Sequence, residues 1–242
     1  MKVHVFRLVG AAVLSASLLA ACGGGGSDTP AAPAPSAAPA TPVVTAFALN
    51  TGYRARIANG ATDNFNLSGS CSGTASIATA AATASTFEGV TGYASAQVSG
   101  INFTNCSPAT NSATGTTYFN ASYVPIGLSI VGGEYSKFES PPSDLPATVG
   151  VGDSGVVATL STYADSTKVV ATGKRVLSYA IEADTSTTAI ANVITRSYDL
   201  GNQLLATQQS RYRMTESGTL TLLSIDVQFS TTSVIHLVYT PR

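Results

Sequence analysis

Ser154 lies in Gly152-Asp153-Ser154-Gly155, a hydroxyl set between an acid and two glycines. A serine becomes a nucleophile when a histidine takes its proton and a carboxylate orients that histidine. Apart from His4 the chain holds one histidine, His236, between Ile235 and Leu237. Strand alternation puts its imidazole on the face opposite those aliphatics, where a solvated strand residue is the simpler reading. Glycine, aspartate and serine are turn residues, so 152–155 also reads as a tight turn entering a strand. One histidine and no CxxC spacing predict no zinc site. Asp144, Asp153 and Asp165 lack the spacing of a calcium loop. No Walker A, GxSxG, GxGxxG or placeable carboxylate pair occurs, so no cofactor is expected.

The remaining reactive groups are Cys22, Cys71 and Cys106. Cys22 closes Leu19-Ala20-Ala21-Cys22, after Lys2, Arg7 and an apolar run from Leu8 to Ala21. The two bases form a charged n-region, and the apolar run is shorter than the ~20 residues that span a bilayer. This stretch resembles the lipobox of bacterial lipoproteins. The resemblance implies a signal peptide over residues 1–21, cleavage before Cys22, and acyl chains, such as palmitate, carried by Cys22. At ~0.8 kcal/mol per buried methylene, two or three chains hold a protein to a membrane durably. Gly23 stands where an aspartate would mark inner-membrane retention, so the expected address is the cell envelope, at the outer membrane. With Cys22 lipidated, Cys71 and Cys106 form an even pair in an oxidising compartment and read as a disulfide. Closing that loop is expected to stabilise by ~3–4 kcal/mol.

Other resemblances are shorter. Residues 152–155 resemble the nucleophile segment of trypsin-like serine proteases. However, Val156 replaces the following glycine and His236 comes after the serine rather than before it. Tyr198-Asp199-Leu200-Gly201-Asn202 resembles one tyrosine-aspartate repeat of large bacterial surface proteins, without a second copy. Arg211 and Arg213 share a strand face, with Arg196 on a neighbouring strand. They form either a basic stripe for anions or charges that discourage edge pairing.

Composition narrows the classes. Losing Lys2 and Arg7 leaves ten bases against thirteen acids. This mild acidity excludes a nucleic-acid binder built on clustered Lys and Arg. Charged residues are only 10% of the chain, and Glu88 is the sole one between Asn64 and Gly133. Ser, Thr, Asn and Gly must therefore solvate that region, as on strand faces.

Such residues belong on sheets. Residues 22–42, rich in Gly, Pro and Ala, form a disordered tether reaching on the order of 40–60 Å. Val43 to Ala58 reads as one or two strands, and Asn59-Gly60 as a hairpin turn. The Ala/Thr-rich stretch from Ile77 to Phe87 is read as strand over helix. Pro141, Pro142 and Pro146 interrupt regular structure. They suggest a boundary between a Ser/Thr-rich sub-domain (43–140), stapled by the disulfide, and a meander (147–242); a crossover within one domain is the alternative. From Val156 onward, short alternating segments such as Ile225, Val227 and Phe229 predict antiparallel neighbours with one buried face. Leu177, Tyr179 and Ile181 share such a face, and Arg175 and Glu182 mark where solvent is expected.

The expected fold is all-β, antiparallel, a β-sandwich or barrel-like, with a C-terminal meander. The expected function is a lipid-anchored, non-enzymatic binding or structural module of the envelope, held to the membrane through Cys22, with an envelope protein or ligand as partner. The alternatives are an envelope hydrolase using Ser154 and a carrier of a small apolar ligand in a barrel cavity.

Overall fold

The computed structural model describes residues 43–230 and 234–242. The expected signal peptide, Cys22 and the expected tether fall outside the described residues. Among the described residues one helix, α1 (Leu49–Asn59), precedes thirteen strands. These are β1 (Ala61–Gly69), β2 (Gly73–Thr79), β3 (Thr83–Phe87), β4 (Val90–Phe103), β5 (Thr110–Asn120), β6 (Pro125–Ile130) and β7 (Tyr135–Phe138). Beyond the proline-rich connection come β8 (Ser154–Tyr163), β9 (Ala171–Ala183), β10 (Thr188–Tyr198), β11 (Leu204–Thr215), β12 (Leu220–Ser230) and β13 (Val234–Pro241). The ladder runs antiparallel through sequential neighbours from β4 to β13, continues to β1 and β2, and closes where β2 pairs β4. The result is a closed antiparallel barrel of twelve strands. The thirteenth, β3, pairs with the first half of β4 (Phe87 opposite Val90), while β2 takes the second half (Gly73 opposite Phe103). Closure removes the open edges of the ring strands and leaves β3 paired on one side only.

Period-2 alternation decides which side faces inward. On β1, Phe65 and Leu67 are buried while Thr62, Asn64, Asn66 and Ser68 are exposed. On β12, Ile225, Val227 and Phe229 face inward, and Asp226 and Gln228 face out, as the sequence predicts. The apolar face is thus the interior. A lipid-spanning barrel carries the opposite pattern, an apolar band outside. No helix among the described residues is long and apolar enough to cross a membrane.

The interior is packed in two clusters. One joins Phe65, Leu67, Ile101, Phe103, Phe229 and Tyr239 beside Cys71. The Cys71–Cys106 disulfide is present, with Cα atoms 5.8 Å apart. It ties the β1–β2 turn to the β4–β5 loop at one end of the barrel. Burial pushes the Tyr239 phenol up to about 12. The second cluster fills the other end with Phe47, Leu49, Val124, Leu145, Val149 and Met214. Leu145 and Val149 belong to the proline-rich connection, and Phe47 bridges Val149 through a reciprocal pair of backbone hydrogen bonds at 2.8 and 2.9 Å. The Asn50 side-chain amide donates to the Leu145 carbonyl. Helix and connection together cap this end.

Two expectations need correction. Val43–Ala58 is not strand: Phe47 makes a single bridge and residues 49–59 are helical. The run Arg54-Ala55-Arg56-Ile57-Ala58 favours helix, and Gly60, at φ 68°, ends it by donating to the Arg56 carbonyl. Asn59-Gly60 is therefore a helix terminus rather than a hairpin turn. The proline-rich segment does not divide the sheet either. It joins β7 to β8, which pair directly (Phe138 opposite Leu160), and strands from 43–140 and 147–242 share one barrel. The stretch 77–87, read as strand, is β2 and β3.

Candidate ligand-binding cavity

Between the two packed clusters the barrel retains a cavity of about 260 Å³. Its walls are mainly apolar: Ile77, Phe119, Leu128, Leu160, Val193 and Leu222 among others, from strands all around the ring. Residues of α1 close it on one side, where Tyr53, Arg56 and Ile57 reach its lining.

Helix α1 sits close because two glycines meet. A Cβ on Gly52 would stand 1.8 Å from the Gly218 carbonyl oxygen in the β11–β12 turn. Gly218 itself, at φ +90°, occupies a conformation that favours glycine. This approach carries Tyr53 to the barrel, where burial first, and Tyr212 second, raise its phenol above the ordinary value. Tyr53 therefore stays a neutral donor at any physiological pH. Arg56 pairs with Asp63 of β1 and lies over the Tyr212 ring, 5.2 Å from its centroid. Burial opposes the Arg56 charge, but Tyr212 and Asp63 hold the guanidinium above its ordinary pKa. Arg56 and Asp63 keep 27% and 23% of their side-chain surface, which puts this polar corner at the rim.

A second ion pair lies deeper. Arg175 of β9 forms a fork with Glu134 of the β6–β7 turn, through Nε–Oε1 and Nη2–Oε2 contacts of 2.8 Å each. Their side chains are only 5% and 13% exposed. Arg175 lines both the inner cavity and a rim pocket of about 360 Å³ beside Gly132, Thr162 and Tyr198. The pair is a partition between them. The expectation that Arg175 meets solvent is corrected here: its side chain is inside, on the same file as Leu177, Tyr179 and Ile181.

Three more polar side chains point inward. Ser136 of β7 and Ser210 and Gln208 of β11 are at most 1% exposed. Among the described residues the two hydroxyls and both amide atoms of Gln208 have no hydrogen-bond partner. Ser210 lines the cavity. A buried polar group without a partner costs ~1–3 kcal/mol. A barrel interior needing only stability would carry aliphatics at these positions.

The residues singled out in the sequence fall elsewhere. Ser154 opens β8, exposed, after a turn in which the Asp153 carboxylate accepts the Gly150 amide. His236 lies on the outer face of β13, its Nε2 2.7 Å from Asp226 Oδ2. Four strands, β9 to β12, separate Ser154 from His236, so the structure does not assemble a triad from them. Asp144 accepts from the Ser122 hydroxyl and Asp165 holds its own turn through Thr167. Among the described residues no three His, Cys, Asp or Glu side chains gather as a metal site. Tyr198–Asn202 is the β10–β11 hairpin, with Asp199 accepting from the Gln203 amide. The basic stripe is neutralised: Arg211 pairs with Glu182 and Arg213 with Asp184. Arg196 stands opposite Thr207, away from both.

No family model, curated protein or solved structure matches this chain.

Proposed function

We propose that this protein is a lipid-anchored envelope protein whose barrel binds a small, largely apolar molecule. The observation that carries this reading is the apolar-walled cavity of about 260 Å³ inside a closed barrel with a polar exterior. Cavities with apolar walls and a few convergent polar groups are the usual form of small-ligand sites. Among the sequence expectations this supports the alternative of a carrier of a small apolar ligand. The lipobox resemblance supplies the anchor: acyl chains on Cys22 would hold the barrel at the outer membrane. The reading as a hydrolase loses support because four strands, β9 to β12, separate Ser154 from His236.

Two experiments test the two halves. Cys22→Ser should release the protein from membranes and remove lipid mass from its N-terminus; unchanged membrane retention would refute the anchor. Native mass spectrometry of protein purified from cells should show a non-covalent adduct that Val193→Trp, which fills the cavity, abolishes. Wild-type protein free of adduct, and unresponsive to small apolar probes, would refute the carrier.

A further inference from the structure

We propose that the cavity selects an uncharged amphipath: an apolar body of roughly eight carbons bearing one hydroxyl or amide, which pairs with Ser210 and Gln208. This rests on the reading of the barrel as a carrier and names the class of molecule carried. Size follows from volume. An engineered 150 Å³ apolar cavity holds benzene, six heavy atoms, so about 260 Å³ holds on the order of ten.

Charge selection follows from the ion pairs. Both cations facing the cavity are already answered by carboxylates, Arg56 by Asp63 and Arg175 by Glu134. An anionic ligand would enter without a free counter-charge, and an uncompensated buried charge is strongly disfavoured. A cationic ligand meets the same objection.

Polar recognition follows from the buried atoms without partners. Ser210 lines the cavity and is 1% exposed, and its hydroxyl has no hydrogen-bond partner among the described residues. Gln208 stands two residues along the same inward file, roughly 7 Å away, with donor and acceptor both unengaged among the described residues. A hydroxyl beside an amide complements a group that both donates and accepts, which a primary amide or an alcohol does and a carboxylate does not. The head group would sit on the β10–β11 wall, where Thr195 and Val193 are the cross-strand partners of Gln208 and Ser210. The tail would lie against Ile77, Phe119 and Leu128 on the opposite arc.

The test is a titration of the purified protein at pH 7.5 with octanamide, 1-octanol, octanoate and n-octane, followed by NMR shifts of the inward-facing residues. Expected are saturable binding of octanamide and 1-octanol and at least tenfold weaker binding of octanoate. Ser210→Ala should weaken octanamide about five- to tenfold, the loss of one hydrogen bond, and leave n-octane unchanged. Octanoate binding as tightly as octanamide, or octanamide indifferent to Ser210→Ala, would overturn the head-group assignment while n-octane binding upholds the carrier. If none of the four is bound, the carrier reading falls as well.

Discussion

Replacing Gly52 by alanine should destabilise the protein, against the direction that helix propensity gives. In an exposed helix interior, Gly→Ala stabilises by ~1 kcal/mol. Gly52 is buried, and the new methyl would lie 1.8 Å from the Gly218 oxygen and 2.9 Å from the Gly218 carbonyl carbon. Both are backbone atoms, so no side chain can swing aside. To reach ordinary contact the helix must lift by more than an ångström. Leu49, at 1% exposure, and Tyr53 would then leave their seats in the end cap. Fully exposing one such side chain costs ~1.5–3 kcal/mol. Partial loss at two, less the propensity gain, leaves a net destabilisation of about 1–3 kcal/mol. Urea unfolding should show the lower midpoint, and hydrogen exchange should show faster exchange at the α1 amides, with the β11–β12 ladder less affected. A Gly52→Ala variant as stable as the parent, with α1 protection intact, would refute the glycine contact as the device that seats the helix.

Other perturbations separate the forces at work. Glu134→Gln removes the carboxylate that answers the buried Arg175 charge and should cost ~3–5 kcal/mol in urea unfolding, whereas Arg175→Met with Glu134→Leu should recover most of it. Replacing Cys71 and Cys106 by alanine should lower stability by ~4 kcal/mol, since the bridge closes 35 residues of sequence separation; a midpoint within error of the parent would contradict this. Hydrogen bonds from Lys168 and then Tyr135 hold the Glu88 carboxyl below its ordinary value. Its contribution is therefore complete above the unfolded glutamate pKa of 4.5 and lost as pH falls through the lowered value. Glu88→Gln should flatten the acid limb of a melting-temperature profile below pH 4.5. Gly127→Ala would place a methyl 2.2 Å from the Phe87 ring, which stacks on Tyr118. Unseating the β3–β4 tip in this way should cost ~1–3 kcal/mol, visible as altered near-ultraviolet dichroism.

The sheet was legible because alternation is a local signal. Ile225, Val227 and Phe229 against Asp226 and Gln228 announce one buried face without knowledge of the partner strands. Ring closure was not legible, since it depends on β1 meeting β13 and β2 meeting β4 at large sequence separations. The helix was hidden by Phe47, Leu49, Tyr53 and Ile57, which suit strand or helix equally over so short a run. The candidate site was nearly invisible. Arg175 has the parity of Leu177, so strict counting would have put it inside, but an arginine there is credible only once Glu134 is seen to face it. Ser210 and Gln208 are ordinary polar residues between two arginines and a threonine; only burial makes them informative. The Cys71–Cys106 pairing was readable once the lipobox resemblance set Cys22 aside, because the two remaining thiols allow one bridge.

The seam between β1 and β13 sets an order of events. Phe65 lies opposite Pro241 and Leu67 opposite Tyr239. The first strand of the ring thus waits for β13, the last strand of the ring in chain order, before its free side is covered. Until then the nascent sheet presents the unprotected hydrogen-bonding groups of β1 to any passing chain. A polypeptide cut before Tyr239 would lose the keystone of the ring rather than a peripheral element.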